Sequence, residues 1–124
     1  MPIRFTIDPT AAVVVATVDP PMPSGADLEA FLDAALSRPD YRRGMGFLYD
    51  RRRVPPPDRA YMEAVAAALT ARRDRMAPCK WAVVVGDLGT MGMVWYGVAH
   101  HPDSGVDARP FPDCEEALAW LRGG

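Results

Sequence analysis

Three groups of residues in this 124-residue chain are of types that do chemistry. The first is a set of aspartates, Asp19, Asp50, Asp87 and Asp113, each standing where an apolar run ends. Gathered together, carboxylates hold a divalent cation; singly, they end strands and cap helices. A phosphorelay receiver would need paired acids after its first strand and a lysine after its last, and this chain has neither. The second group is Arg51-Arg52-Arg53, between a strand end and a helix start, where open α/β sheets bind anions. Guanidinium forks there can grip a phosphate or a lipid headgroup; the alternative is solvated surface charge. The stretch lacks the glycines of a phosphate-binding loop. The third group is Met91, Met93, Trp95 and Tyr96, residue types that build a core, an adaptable interface or an apolar pocket.

Other reactive side chains lack a usable arrangement. His100 and His101 are adjacent and diverge, a poor zinc pair. Cys79 and Cys114 have no metal-ligand or C-x-x-C spacing and read as buried thiols of a reducing compartment, although Cys114 near a helix start has a second reading as a reactive thiol. Ser24, Ser37 and Ser104 sit at caps and turns, with no nucleophile elbow. No catalytic residue, metal or cofactor is expected, and the chain reads as a non-enzyme.

The elements that must position these groups follow a regular rhythm. Ile3, Phe5 and Ile7 alternate with polar residues, as in a half-buried strand, and Val13–Val18 is a β-branched run suited to a central one. The two are expected to pair as a hairpin. A proline-rich connector leads to Ser24, an N-cap for a helix with Leu28, Phe31, Leu32, Ala35 and Leu36 on one stripe. Gly46–Asp50 is the next strand. Asp58 caps a helix with Met62, Val65, Ala66 and Leu69 on its core face, fraying through Arg72, Arg73 and Arg75. Lys80–Val85 is a buried strand, Leu88–His100 a helix apolar all round, and Val106–Phe111 the last strand. Asp113 caps the final helix, with Glu116 placed for a capping box. Alternating strands and helices of this kind wind a parallel sheet through right-handed crossovers. If every crossover has one hand, all helices cover one face, and the other face calls for a second subunit.

At this length the chain reads as one domain, residues 1–124, with a core that needs no staples. Its 49% hydrophobic and 24% charged residues exclude wholesale disorder. The net charge of −2 hides a basic middle: ten arginines against five acids between Arg38 and Arg75, a net of +5, inside an acidic frame. That asymmetry solubilises, or offers a patch to an anionic partner. No nucleic-acid motif and no apolar stretch long enough for a membrane span is present, and the start does not read as a signal peptide. The cytoplasm is the expected compartment.

Three segments resemble the STAS/SpoIIAA-like superfamily in its small stand-alone bacterial branch. They are Asp50-Arg51-Arg52; Ala82-Val83-Val84-Val85-Gly86-Asp87-Leu88 leading to Met91-Gly92-Met93; and Phe111-Pro112-Asp113 with Glu116-Ala117-Leu118-Ala119-Trp120-Leu121. The resemblance implies an α/β fold: a mixed five-stranded sheet, the first strand antiparallel and the rest parallel, with four helices. It implies a protein-interaction or regulatory module. Phosphorylated members open the helix after the third strand with Asp-Ser, whereas residues 50–58 here contain no Ser or Thr, so that switch is not implied. Trp95 stands where the stand-alone branch often has an arginine. CRAL-TRIO lipid-transfer domains wind similarly, which leaves a second reading as carrier or sensor of a small amphipathic or lipid-like ligand. The expected form is a homodimer meeting its partner or ligand through Met91, Met93, Trp95 and Tyr96, with Arg51, Arg52 and Arg53 as the anion site.

Overall fold

The computed structural model describes residues 2–100 and 104–123, with residues 96–100 as backbone alone. β1 (Ile3–Asp8) and β2 (Val13–Val18) form the expected antiparallel hairpin, Ile3 opposite Val18 and Asp8 opposite Val13. The Asp8 carboxylate closes the turn by accepting the Thr10 and Ala11 N–H groups, each at 3.1 Å. Then follow α1 (Gly25–Leu36), β3 (Gly46–Asp50), α2 (Arg59–Ala71), the one-turn α3 (Arg73–Met76), β4 (Cys79–Val84), α4 (Leu88–His100), β5 (Val106–Phe111) and α5 (Cys114–Leu121). The sheet runs β1-β2-β3-β4-β5, parallel from β2 onward. It is the α/β, mixed five-stranded architecture expected. The arginine-rich end of the second helix breaks off as α3, which makes five helices among the described residues where four were expected.

Local chemistry sets the helix starts. Ser24 Oγ accepts the Asp27 N–H at 3.1 Å while Asp27 returns a bond to the Ser24 N–H at 2.9 Å, a full capping box. Asp58 and Asp113 each cap their helix by accepting an N–H three residues on, at 2.7 and 2.8 Å. The reciprocal box therefore forms at α1, and α5 has its Asp113 half.

Alternation along the strands divides the core in two. One face gathers Val14, Ala16, Val18, Phe47, Tyr49, Trp81 and Val83 under α1, α2 and α4. Phe31 of α1 lies at its centre, fully buried, with ring centroids 5.4 Å from Phe5 and 6.3 Å from Phe47. The other face presents Val13, Leu48, Ala82 and Val84 to Ala117, Leu118, Trp120 and Leu121 of α5. The expectation that all helices share one face is thus corrected. The handedness rule binds a helix that returns to the sheet; α5 follows the last strand, has none to return to, and folds onto the opposite side. Where α5 does not reach, that face carries Arg4, Thr6, Asp8 and Thr17, which tolerate water. A second subunit is not required to cover it.

On the sheet's outer rim, β5 carries Asp107, Arg109 and Pro110, with Pro110 opposite Val83 of β4. The Phe111 carbonyl accepts the Val85 N–H at 3.0 Å, so the backbone of Phe111 points inward and that of Pro110 outward.

If α5 seals its face, Leu48→Ala should cost about 2–5 kcal/mol in urea denaturation, the range of a buried leucine. A cost below about 1 kcal/mol would mean the face is open to solvent.

Candidate functional site

The two-residue period of β3 separates the three arginines. The Arg51 N–H donates to the Val84 carbonyl at 3.0 Å, so the strand geometry runs on past Asp50. Phe47, Tyr49 and Arg51 then share the helix-covered face, while Leu48, Asp50 and Arg52 turn toward α5. Arg52 accordingly grips Asp50 with two side-chain bonds, at 3.0 and 2.8 Å, and reaches Cys114 Sγ at 3.4 Å. Arg53 pairs with Asp19 at 2.7 Å, a carboxylate it shares with Arg4. Two of the expected anion ligands are already neutralised by acids of this chain, and the three do not form one site.

Arg51 is different. It is 4% exposed and appears in none of the ion pairs among the described residues. Its Nη2 donates to the Pro55 carbonyl and toward Met22 Sδ at 3.5 Å; its Nε has no partner. The guanidinium lies 5.8 Å from the Tyr61 ring centroid. Burial lowers its pKa, opposed by Tyr61, Tyr49 and Asp87, yet arginine stays charged in proteins. A buried cation outside any direct ion pair, its charge offset only in part by Asp87, costs free energy that folding does not ask for.

That cation lines an apolar cleft of about 110 Å³ between α2 and α4, floored by the sheet. Tyr49, Trp81, Val83, Val106 and Ala108 form the floor, with Met62, Val65, Ala66 and Leu69 on the α2 wall and Val94 opposite. Of the α2 stripe, Leu69 is buried whereas Met62, Val65 and Ala66 are half-buried, because α2 stands off the sheet here and the gap is the cleft. The Tyr49 and Tyr61 hydroxyls meet at 3.2 Å. Burial pushes both phenols up, Tyr49 strongly, so both are neutral at physiological pH. In such a pair one hydroxyl donates to the other, and the second keeps its proton for another acceptor. Ser104, also buried, lines the cleft and accepts the Val106 N–H at 3.2 Å.

The other sequence candidates fall elsewhere. Met91 and Val94 of α4 turn inward and pack on the core, Met93 is half-buried, and Trp95 is 47% exposed. Leu88, one helical repeat before Trp95, is 84% exposed. The Tyr96 and His100 side chains and His101 lie outside the described residues. The four aspartates do not converge: Asp19 and Asp50 hold arginines, Asp87 caps α4 through Thr90 at 2.7 and 2.9 Å, and Asp113 caps α5. Burial raises both thiols, Cys79 to about 12, so neither is a thiolate at neutral pH; Cys114 is half-buried rather than buried. Sequence reasoning passed over Tyr49 and Tyr61. Tyr49 precedes Arg51 by one strand period and was legible as its neighbour, whereas nothing in the sequence announces that Tyr61 reaches it.

An α/β sheet wound in chain order around one apolar cleft is the class these features define. Among solved structures it is similar to an uncharacterized protein of the DUF3478 family with a SpoIIAA-like fold from Shewanella loihica PV-4. The likeness covers 96% of this chain and 93% of that one at 12% identity, with a TM-score of 0.64. The chain has the SpoIIAA-like fold. No family model and no curated protein matches the sequence.

Because Arg51 makes no direct ion pair among the described residues, Arg51→Met should leave the unfolding free energy within about 1 kcal/mol of wild type or raise it. Arg72→Met, which breaks bonds to Asp33 and the Ala68 carbonyl, should lower it in the same urea experiment. A clear loss in Arg51→Met would make Arg51 a structural residue.

Asp50 supplies a pH test. Burial acts to raise its carboxyl, but the side-chain and backbone hydrogen bonds from Arg52 outweigh it and hold the group below the usual value. The stability it adds is complete above the unfolded-state value and is lost as pH falls through the lower folded value. Arg52→Met should move the Asp50 transition upward in a side-chain carboxyl NMR titration, and an unmoved transition would discard the pairing.

Proposed function

We propose that this chain is a non-enzymatic regulatory module that binds a small amphipathic anion in the cleft between α2 and α4. The observation that carries the reading is Arg51: a buried guanidinium, without a carboxylate partner among the described residues, at the margin of an apolar gap. Folding alone gives no reason to keep a charge there, since an apolar residue of similar size would pack as well or better. A negatively charged ligand with an apolar body completes the charge balance that Asp87 only begins and fills the gap in one step. The non-enzymatic part rests on the lining. Its described polar groups are a guanidinium, two neutral phenols and a serine hydroxyl engaged by the Val106 N–H, donors suited to holding an anion.

A second reading, contact with a protein partner or another copy, is favoured by Leu88 and Trp95. They are the exposed large apolar residues among those described, seven positions apart on one side of α4. On that reading the cleft is sensed on the inner side of α4, through Val94, and the result is displayed on the outer side.

Native mass spectrometry of freshly purified protein tests both readings together. A one-to-one adduct with an organic acid, or a rise in melting temperature with a panel of amphipathic acids, is the expected result. Ligand at about 100 times its Kd would add about 2.7 kcal/mol to the unfolding free energy. An empty protein that no member of the panel stabilises would end the ligand reading. A monomer at every concentration, unaltered by Trp95→Ala, would end the self-association reading.

A further inference from the structure

We infer that the cleft selects a small monocarboxylate whose apolar part is about the size of one aromatic ring, in preference to a phosphorylated molecule or a long-chain lipid. This rests on the ligand reading above and narrows it by charge, donor geometry and volume.

Charge comes first. Of the three arginines after β3, Arg52 is bound to Asp50 and Arg53 to Asp19, which leaves Arg51 alone facing the cleft. Asp87 acts on the same guanidinium and offsets part of its charge. One partly offset positive charge in an apolar gap balances a single negative charge; a phosphate dianion would leave an unpaired charge buried there.

Donor geometry agrees. The Arg51 Nε–H has no acceptor, and the Nη2 beside it is held by the Pro55 carbonyl and Met22 Sδ. That edge therefore keeps one N–H for an incoming oxygen, which suits one carboxylate oxygen and falls short of the several acceptors of a phosphate. The Tyr49–Tyr61 pair leaves one phenol proton undirected, a further neutral donor in the same lining. Both phenols are neutral, so the pair adds a donor to the lining without adding charge.

Volume sets the tail. The cleft holds about 110 Å³, near the roughly 150 Å³ of an engineered cavity that accepts benzene. A ring or a branched group of similar bulk fits between the Tyr49 and Trp81 floor and Val65 and Leu69 of α2; an extended chain of sixteen carbons does not.

Isothermal titration calorimetry on the full chain tests this with four probes: phenylacetate, its neutral isostere 2-phenylethanol, phenyl phosphate and palmitate. Phenylacetate should bind at least about tenfold more tightly than each of the others, the scale of one charge-assisted interaction. Arg51→Met should bring phenylacetate and 2-phenylethanol to within about twofold of each other. Should that variant not fold, Ala66→Trp provides the second arm: it fills the cleft beneath an untouched Arg51 and should abolish phenylacetate binding. Equal affinity for the acid and the alcohol, or preference for phenyl phosphate or palmitate, would overturn the inference while leaving a ligand-binding cleft. Silence from all four probes would overturn the inference, and silence from the wider panel as well would take the ligand reading with it.

Discussion

The strict alternation of side chains along β3 is the constraint on which the rest of the structure depends. It puts Phe47 and Tyr49 beneath the helices and Leu48 beneath α5, and thereby builds both halves of the core from one strand. Continued one residue further by the Arg51–Val84 bond, it drives a guanidinium into the side of the sheet where hydrocarbon dominates. The next residue, on the opposite phase, finds Asp50 and α5. A slip of one residue in register would reverse every one of these placements. The fold and the candidate site are therefore two results of a single period.

Charge inside the protein is organised by the same logic. Arg52, Arg53 and Arg72 end on carboxylates, and each of those contacts is explained by structure alone. Arg51 has a backbone carbonyl, a thioether and an aromatic face in contact, and Asp87 offsets its charge only in part, without a direct ion pair. Sites that bind something tend to keep such local deficits, because the deficit is what the bound molecule relieves. The half-buried stripe on α2 is the apolar counterpart. Met62, Val65 and Ala66 would have closed on the sheet if packing were their whole role.

Much of the fold was legible. β-branched and alternating runs marked the strands, and Ser24, Asp58 and Asp113 marked three helix starts, because each signal acts within a few residues of itself. The position of α5 was not legible, since a terminal helix has no returning strand to set its side. The site was legible in part. Arg51 was among the anion candidates, but a run of three arginines reads as a block unless the strand's period is carried through it. The apolar residues of α4 could be recognised without knowing which way they face: Met91 and Val94 turn in, Leu88 and Trp95 turn out. The cleft depends on a gap between α2 and the sheet, and a gap is a property of two elements that no single segment encodes.

The rim formed by β5 has a consequence for how copies of this chain behave when crowded. Residues 106, 108 and 110 aim their backbone outward, yet Pro110 has no N–H and the Val106 N–H is occupied by Ser104 Oγ, so the row is short of donors. Asp107 and Arg109 add opposite charges beside it. A foreign strand laid along this margin would find carbonyl acceptors but few donors and could not complete its ladder, so β5 is a poor template for further strands.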